Sequence, residues 1–148
     1  MVKPSHFRIV PLEEALQAAA PKPQSGLPVV MIVDDERVIA DTLSAIFRNN
    51  GYTVLTAYNG EHALEVLQDR QPNLLITDVM MPGMNGVDLA ITIRETIPDC
   101  KILLFSGQAA TNDLLAHARE TGHDFETLAK PVHPTEMLAR ASECLMVA

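Results

Sequence analysis

The feature that most limits the fold is an alternation, repeated five times from Val29 onward, of a short apolar run with a longer amphipathic one. VVMIVDD, YTVLTAY, NLLITDV, KILLFSG and the brief TLAK read as strands. After them come ERVIADTLSAIFRNN, GEHALEVLQDR, VDLAITIRETI, TNDLLAHARETG and HPTEMLARASECLM, which read as helices. In the first of these, Val38, Ile39, Leu43, Ile46 and Phe47 recur at helical spacing, and Gly51 follows as a stop. Pro134 suits the first turn of the last. Apolar runs without polar alternation belong to strands buried on both faces, so a parallel sheet covered by helices is expected. Right-handed crossovers then put helices on both sides. The class is α/β, a doubly wound five-stranded parallel sheet.

A chain of 148 residues has room for one such domain and a remainder. The remainder is residues 1–28, punctuated by Pro4, Pro11, Pro21, Pro23 and Pro28 and ending in PKPQSGLP. It reads as an N-terminal extension or linker, with a short helix expected in PLEEALQAAA. The domain itself is expected at 29–147. A net charge of −8 and 11 scattered Lys and Arg residues argue against a nucleic-acid-binding face, which needs clustered cations. The most apolar stretch, Leu27 to Val33, is far short of the roughly 20 residues of a membrane span. The first residues carry Glu13 and Glu14 where a signal core would sit, so a cytoplasmic location is expected. Cys100 and Cys144 read as small buried thiols. The five histidines (His6, His62, His117, His123 and His133) show no metal-ligand spacing and suit surface or capping roles.

Ligands of an open parallel sheet bind beyond the carboxyl ends of its strands. The polar residues that break the apolar runs fall at those ends: Asp34 and Asp35 after the first strand, Asp78 at the third, Ser106 at the fourth, Lys130 at the fifth. Three carboxylates gathered in one pocket repel, so some take up protons or a cation sits among them. Hard oxygen donors without His or Cys point to Mg²⁺. Phosphoryl transfer needs in-line placement and neutralised charge, and a cation, the Lys130 ammonium and the Ser106 hydroxyl supply the latter. A carboxylate such as Asp78 can act as the nucleophile and become an aspartyl-phosphate. Gly107 leaves room for the incoming group. Each element alone has an ordinary reading. Asp35 could cap a helix, Asn85-Gly86 is a turn signal, Lys130 before Pro131 is a common surface pair, and Met80, Met81 and Met84 suit packing. Their order at successive strand ends is what favours function.

The stretches VVMIVDDE, LLITDVMMPGMNGVDL, ILLFSG and LAKPV together resemble the receiver domains of bacterial response regulators, over about residues 29 to 147. The resemblance implies a flavodoxin-like (βα)5 fold with strand order 2-1-3-4-5. It implies that Asp78 is phosphorylated by a histidine kinase or phosphotransfer protein. It also implies Mg²⁺ held by Asp35, by Asp34 largely through water, by Asp78 and by the backbone carbonyl of Met80. Ser106 and Lys130 would contact the phosphoryl oxygens, with Met80 and Gln108 flanking the pocket and tuning hydrolysis. A cis Lys130-Pro131 bond is implied as well. Such a protein is a signalling switch, monomeric or weakly dimeric, that catalyses only its own phosphoryl transfer and dephosphorylation. The chain stops after the last receiver helix, so output is expected through the face of the fourth helix, fifth strand and fifth helix.

Two departures from the family pattern stand out. Thr127 occupies the position, three residues before the lysine, where the family usually has an aromatic ring that reports phosphorylation. The segment from Gly122 to Lys130 is also about one residue long, which leaves Phe125 two positions early and predicts an altered loop with Phe125 packing in place of that ring. Other functions fit less well. A phosphatase of the haloacid-dehalogenase type needs an acid two residues after its nucleophile, where Met80 stands. A flavin phosphate would meet carboxylates rather than a Gly/Ser/Thr-rich loop. A receiver that only binds, without phosphorylation, is favoured by Thr127 and disfavoured by the intact pocket.

Overall fold

A computed structural model describes residues 26–107 and 111–146. The helix expected within residues 11–20, and Gln108, lie outside the described residues. Five strands and five helices alternate as the sequence pattern requires. They are β1 (Val29–Val33), α1 (Arg37–Asn49), β2 (Thr53–Ala57), α2 (Gly60–Leu67) and β3 (Leu74–Asp78). Then follow α3 (Gly86–Thr96), β4 (Lys101–Ser106), α4 (Thr111–Glu120), β5 (Glu126–Ala129) and α5 (Pro134–Met146). All strand pairs are parallel and the order is β2-β1-β3-β4-β5, the doubly wound arrangement expected.

The burial of the strands explains their lack of polar alternation. Every residue of β1 and β3 is buried. Successive side chains point to opposite faces, so one face collects Val30, Ile32, Leu74, Ile76, Leu103 and Phe105. These pack against Leu43 and Phe47 of α1 and Met137 and Ala141 of α5. The other face collects Met31, Val33, Leu75, Ile102 and Leu104 beneath Ala63, Leu89, Ile93 and Ala118 of α2, α3 and α4. Two apolar layers on one sheet demand strands apolar on both sides. Cys100 and Cys144 are buried thiols, and His133 caps the start of α5 by accepting from the Thr135 N–H at 3.1 Å.

The chain runs outward from β1 to β2 and then returns to the other side of β1 for β3. This reversal opens a crevice beyond the carboxyl ends of β1 and β3, where Asp34, Asp35 and Asp78 stand. On the far side, α4 ends with the Gly122 N–H on the Arg119 carbonyl and the His123 N–H on the Ala118 carbonyl, at 3.0 and 2.9 Å. Gly122 takes a left-handed φ of 93°, as this type of helix end requires.

The altered approach to β5 is resolved in one respect. Phe125 is buried, with its ring stacked on His123 at 6.0 Å and the Arg94 guanidinium over it at 4.9 Å. It packs, but not as a substitute beside Ser106. The register pairs Ser106 with Ala129, four residues further along, which is about 13 Å at strand rise. Thr127 is exposed.

Candidate functional site

The site is assembled from residues at the ends of the strands and just beyond them, all at one end of the sheet. Asp34 directly follows β1, is fully buried, and donates its N–H to the Ala57 carbonyl at 3.2 Å. Its Oδ1 accepts the Glu36 N–H at 2.9 Å and so ties down the turn into α1. The ordinary reading of the acidic pair offered a capping role to Asp35, whereas the resemblance implied a metal ligand there. Glu36, the residue at the cap position, makes no side-chain cap, and Asp35 is exposed at the rim. A buried aspartate two residues upstream closes the turn, which frees Asp35 for the pocket. Asp34 Oδ2 is buried without a hydrogen-bond partner.

Asp78 ends β3 and is 5% exposed. Carboxylate oxygens of Asp34, Asp35 and Asp78 all lie within 4.8 Å of one another. Lys130 Nζ stands 3.1 Å from Asp78 Oδ2 and 5.1 Å from the centre of the Phe105 ring. The lysine is placed by its backbone, whose N–H bonds the Ser106 carbonyl at 3.0 Å, and the bond from Lys130 to Pro131 is cis, as the resemblance implied. A side chain at Gly107 would come within 3.1 Å of Lys130 Cβ, so the glycine admits the lysine to the pocket.

Ser106 closes β4 at the same end, but its hydroxyl shares a short hydrogen bond with Thr111 Oγ1 at the start of α4. Thr111, which the sequence reading overlooked, is 3% exposed. The cue available was a hydroxyl residue opening the helix five positions after Ser106. Met80 is 43% exposed at the mouth. Asn85-Gly86, read as a plain turn, is instead the start of α3, with Asn85 Oδ1 accepting the Asp88 N–H at 2.9 Å.

A cleft of about 850 Å³ opens over these groups. Asp35, Asp78, Met80 and Lys130 line one end, and Ile39, Leu43 and Met137 continue it along the seam of α1 and α5. Burial drives the chemistry of its acids. Desolvation lifts Asp34 to about 6, opposed by the Glu36 N–H and helped by Asp78. Desolvation also raises Asp78, against the Lys130 ammonium. One lysine does not balance three crowded carboxylates, one of which has an unsatisfied buried oxygen. The all-oxygen donor set fits a hard divalent cation.

This has a measurable consequence. Asp34 has a folded pKa above its unfolded value of 3.8, so between about pH 4 and 6 the folded chain keeps a proton the unfolded chain has lost. Its contribution to stability is present at low pH and is lost as pH rises through about 6, by roughly 3 kcal/mol. In magnesium-free buffer the melting temperature of wild type should fall relative to Asp34→Asn over this interval, because Asn keeps the acceptor for Glu36 but does not ionise. Added Mg²⁺ should raise the wild-type midpoint more near pH 7.5 than near pH 5. A gap between the two proteins that is independent of pH would refute the burial argument.

Residues 30–142 match the family model described as response regulator receiver domain. The chain belongs to that family, the receiver domains of two-component signalling. It is similar to "Probable transcriptional regulatory protein TcrX" of Mycobacterium tuberculosis, 34% identical over 116 residues, which is 78% of this chain and 49% of the relative. It is also similar to response regulator MprA of Mycobacterium ulcerans, 33% identical over 75% of this chain and 47% of the relative. The chain thus spans about half the length of the curated relatives it matches. Among solved structures, the CheY-like receiver domain protein of Methanospirillum hungatei superposes with a TM-score of 0.73 at 28% identity, covering 81% of this chain and 94% of that one. Receiver domains are signalling domains. Among the described residues, no helix is long and apolar enough to cross a membrane.

Proposed function

We propose that this chain receives a phosphoryl group on Asp78 from a histidine kinase or phosphotransfer protein and passes the signal on by protein contacts. The observation that carries this is Lys130 Nζ at 3.1 Å from an Asp78 carboxylate that also faces Asp34 and Asp35. In the transfer, an Asp78 oxygen attacks phosphorus, an O–P bond forms, and the P–N bond to the donor imidazole breaks. The bonding pair returns to the ring nitrogen, which takes up a proton. Lys130 stabilises charge on the phosphoryl oxygens, and Ser106 donates a hydrogen bond to one of them. Asp34, Asp35, Asp78 and the Met80 backbone carbonyl are the groups that would hold Mg²⁺. When bound, Mg²⁺ supplies the neutralisation that lets an anionic donor approach an anionic nucleophile.

The receiver occupies 29–147 after an extension of residues 1–28, acts in the cytoplasm as a monomer or weak dimer, and dephosphorylates itself rather than turning over a substrate. Its output surface is the face of α4, β5 and α5, where Arg140 pairs with Glu126 across β5 and α5. Neither nucleic acid nor membrane is a partner of this domain, whose net charge is acidic.

Acetyl phosphate with Mg²⁺ is the direct test, since it needs no kinase. Wild type should take up label, and chelation of Mg²⁺ should abolish uptake. Lys130→Met should slow it by about a hundredfold, the cost of removing one positioned charge from the transition state. Uptake that is unaffected by chelation or by loss of Lys130 would refute this reading.

A further inference from the structure

We propose that Thr111 carries the state of the phosphoacceptor pocket into α4, through its hydrogen bond with Ser106. This rests on the reading of Asp78 as phosphoacceptor. The Ser106 hydroxyl ends β4 and the Thr111 hydroxyl opens α4, so one hydrogen bond joins the strand that reaches the pocket to the helix on the proposed output face. Thr111 is buried, so its hydroxyl depends on protein partners rather than water.

A serine hydroxyl has one proton to donate and two lone pairs with which to accept. A phosphoryl oxygen only accepts. Once Asp78 is loaded, the single Ser106 proton goes to a phosphoryl oxygen, and Ser106 can keep Thr111 only by accepting from it. The chain Thr111 to Ser106 to phosphoryl oxygen then has one direction, and each bond polarises the next. As Ser106 swings toward the new group, the first turn of α4 follows it. Phe125 lies too far along β5 to do this, and Thr127 is exposed without a ring.

Beryllofluoride with Mg²⁺, a stand-in for the phosphoryl group, allows the test by backbone amide spectra of the whole chain. In wild type, amides around Asp34, Asp78 and Lys130 should shift together with those of residues 111–120. Thr111→Val keeps the shape and removes the hydroxyl. It should retain the pocket shifts and lose most of those along α4. Thr111→Ser restores the hydroxyl and should restore the α4 shifts. Wild-type α4 shifts in the valine variant, or their loss in the serine variant, would overturn the relay while leaving the phosphoacceptor reading intact. Pocket amides that ignore beryllofluoride in wild type would overturn that reading, and the relay with it. If the valine variant does not fold, wild type decides: an α4 that stays still while the pocket responds rejects the relay, and an α4 that moves in wild type and serine variant alike supports it.

Discussion

Asp78→Asn should take up no phosphoryl group from acetyl phosphate and yet melt no lower than wild type in magnesium-free buffer. An amide replaces the nucleophilic carboxylate, and a carboxamide oxygen does not form an acyl phosphate, so the loss is complete rather than partial. The stability half of the expectation comes from electrostatics. Asp78 raises the cost of ionising Asp34, and Asp35 that of Asp78, in a desolvated pocket, and Asn removes one of the three like charges. The bond to Lys130 weakens, but the lysine side chain is 32% exposed and can hydrate. Activity and stability should therefore move apart, as expected where a charge is retained for chemistry at a cost to the fold. Thermal melting with and without Mg²⁺, beside label uptake, checks both halves. A variant that melts well below wild type without Mg²⁺ would mean that Asp78 is held mainly as a structural ion pair.

The second large effect falls on a residue with no side chain. A Cβ added at Gly86 would lie 2.0 Å from the Asp78 carbonyl oxygen and 2.9 Å from both the Asp78 carbonyl carbon and Val79 Cα. All three are backbone atoms, so no rotamer change relieves the clash. The Gly86 N–H also bonds the Val79 carbonyl at 2.8 Å, which pins the start of α3 against the end of β3. Gly86→Ala must therefore push α3 off the sheet or displace the Asp78-Val79 peptide. Ordinary overpacking costs about 1–3 kcal/mol, and a rigid backbone contact belongs at or above that range, at roughly 3–5 kcal/mol. For a domain of this size that is about 10–20 °C in melting temperature. Because the displaced backbone is that of Asp78, phosphoryl uptake should fall as well. Chemical denaturation measures the first effect, and a loss under 1 kcal/mol would show that the contact is not rigid.

The sheet and the pocket were legible in the sequence for one physical reason. Strands buried on both faces admit no charged residue until they end, so the first carboxylate after VVMIV and after LLIT marks both the strand terminus and the site. Lys130 was placed by the brief TLA run before it, although β5 is an edge strand exposed along most of its length, and the resemblance supplied its cis bond to Pro131, which the structure has. What escaped depends on three-dimensional contacts that local pattern does not encode. Asp34 rather than Asp35 closes the turn into α1, because the backbone at Glu36 folds back over it. Asn85-Gly86 carries a turn signal but opens a helix, and only the packing of α3 on β3 reveals that glycine is there for closeness. Thr111 met no motif, and its partner became visible only when β4 and α4 were in place. Phe125 was expected to replace a ring, yet the register of β5 sets it at the opposite end of the strand from Ser106.

The location of the phosphoryl group is the most direct test of the account. Wild-type protein loaded from acetyl phosphate with Mg²⁺ is reduced with borohydride, which converts an acyl phosphate of aspartate to homoserine, then digested and mapped by mass spectrometry. The expected result is reduction at position 78 alone, in the peptide that carries the end of β3. Homoserine at Asp34 or Asp35 with residue 78 unchanged, or phosphate held on a serine, threonine or histidine instead, would contradict it.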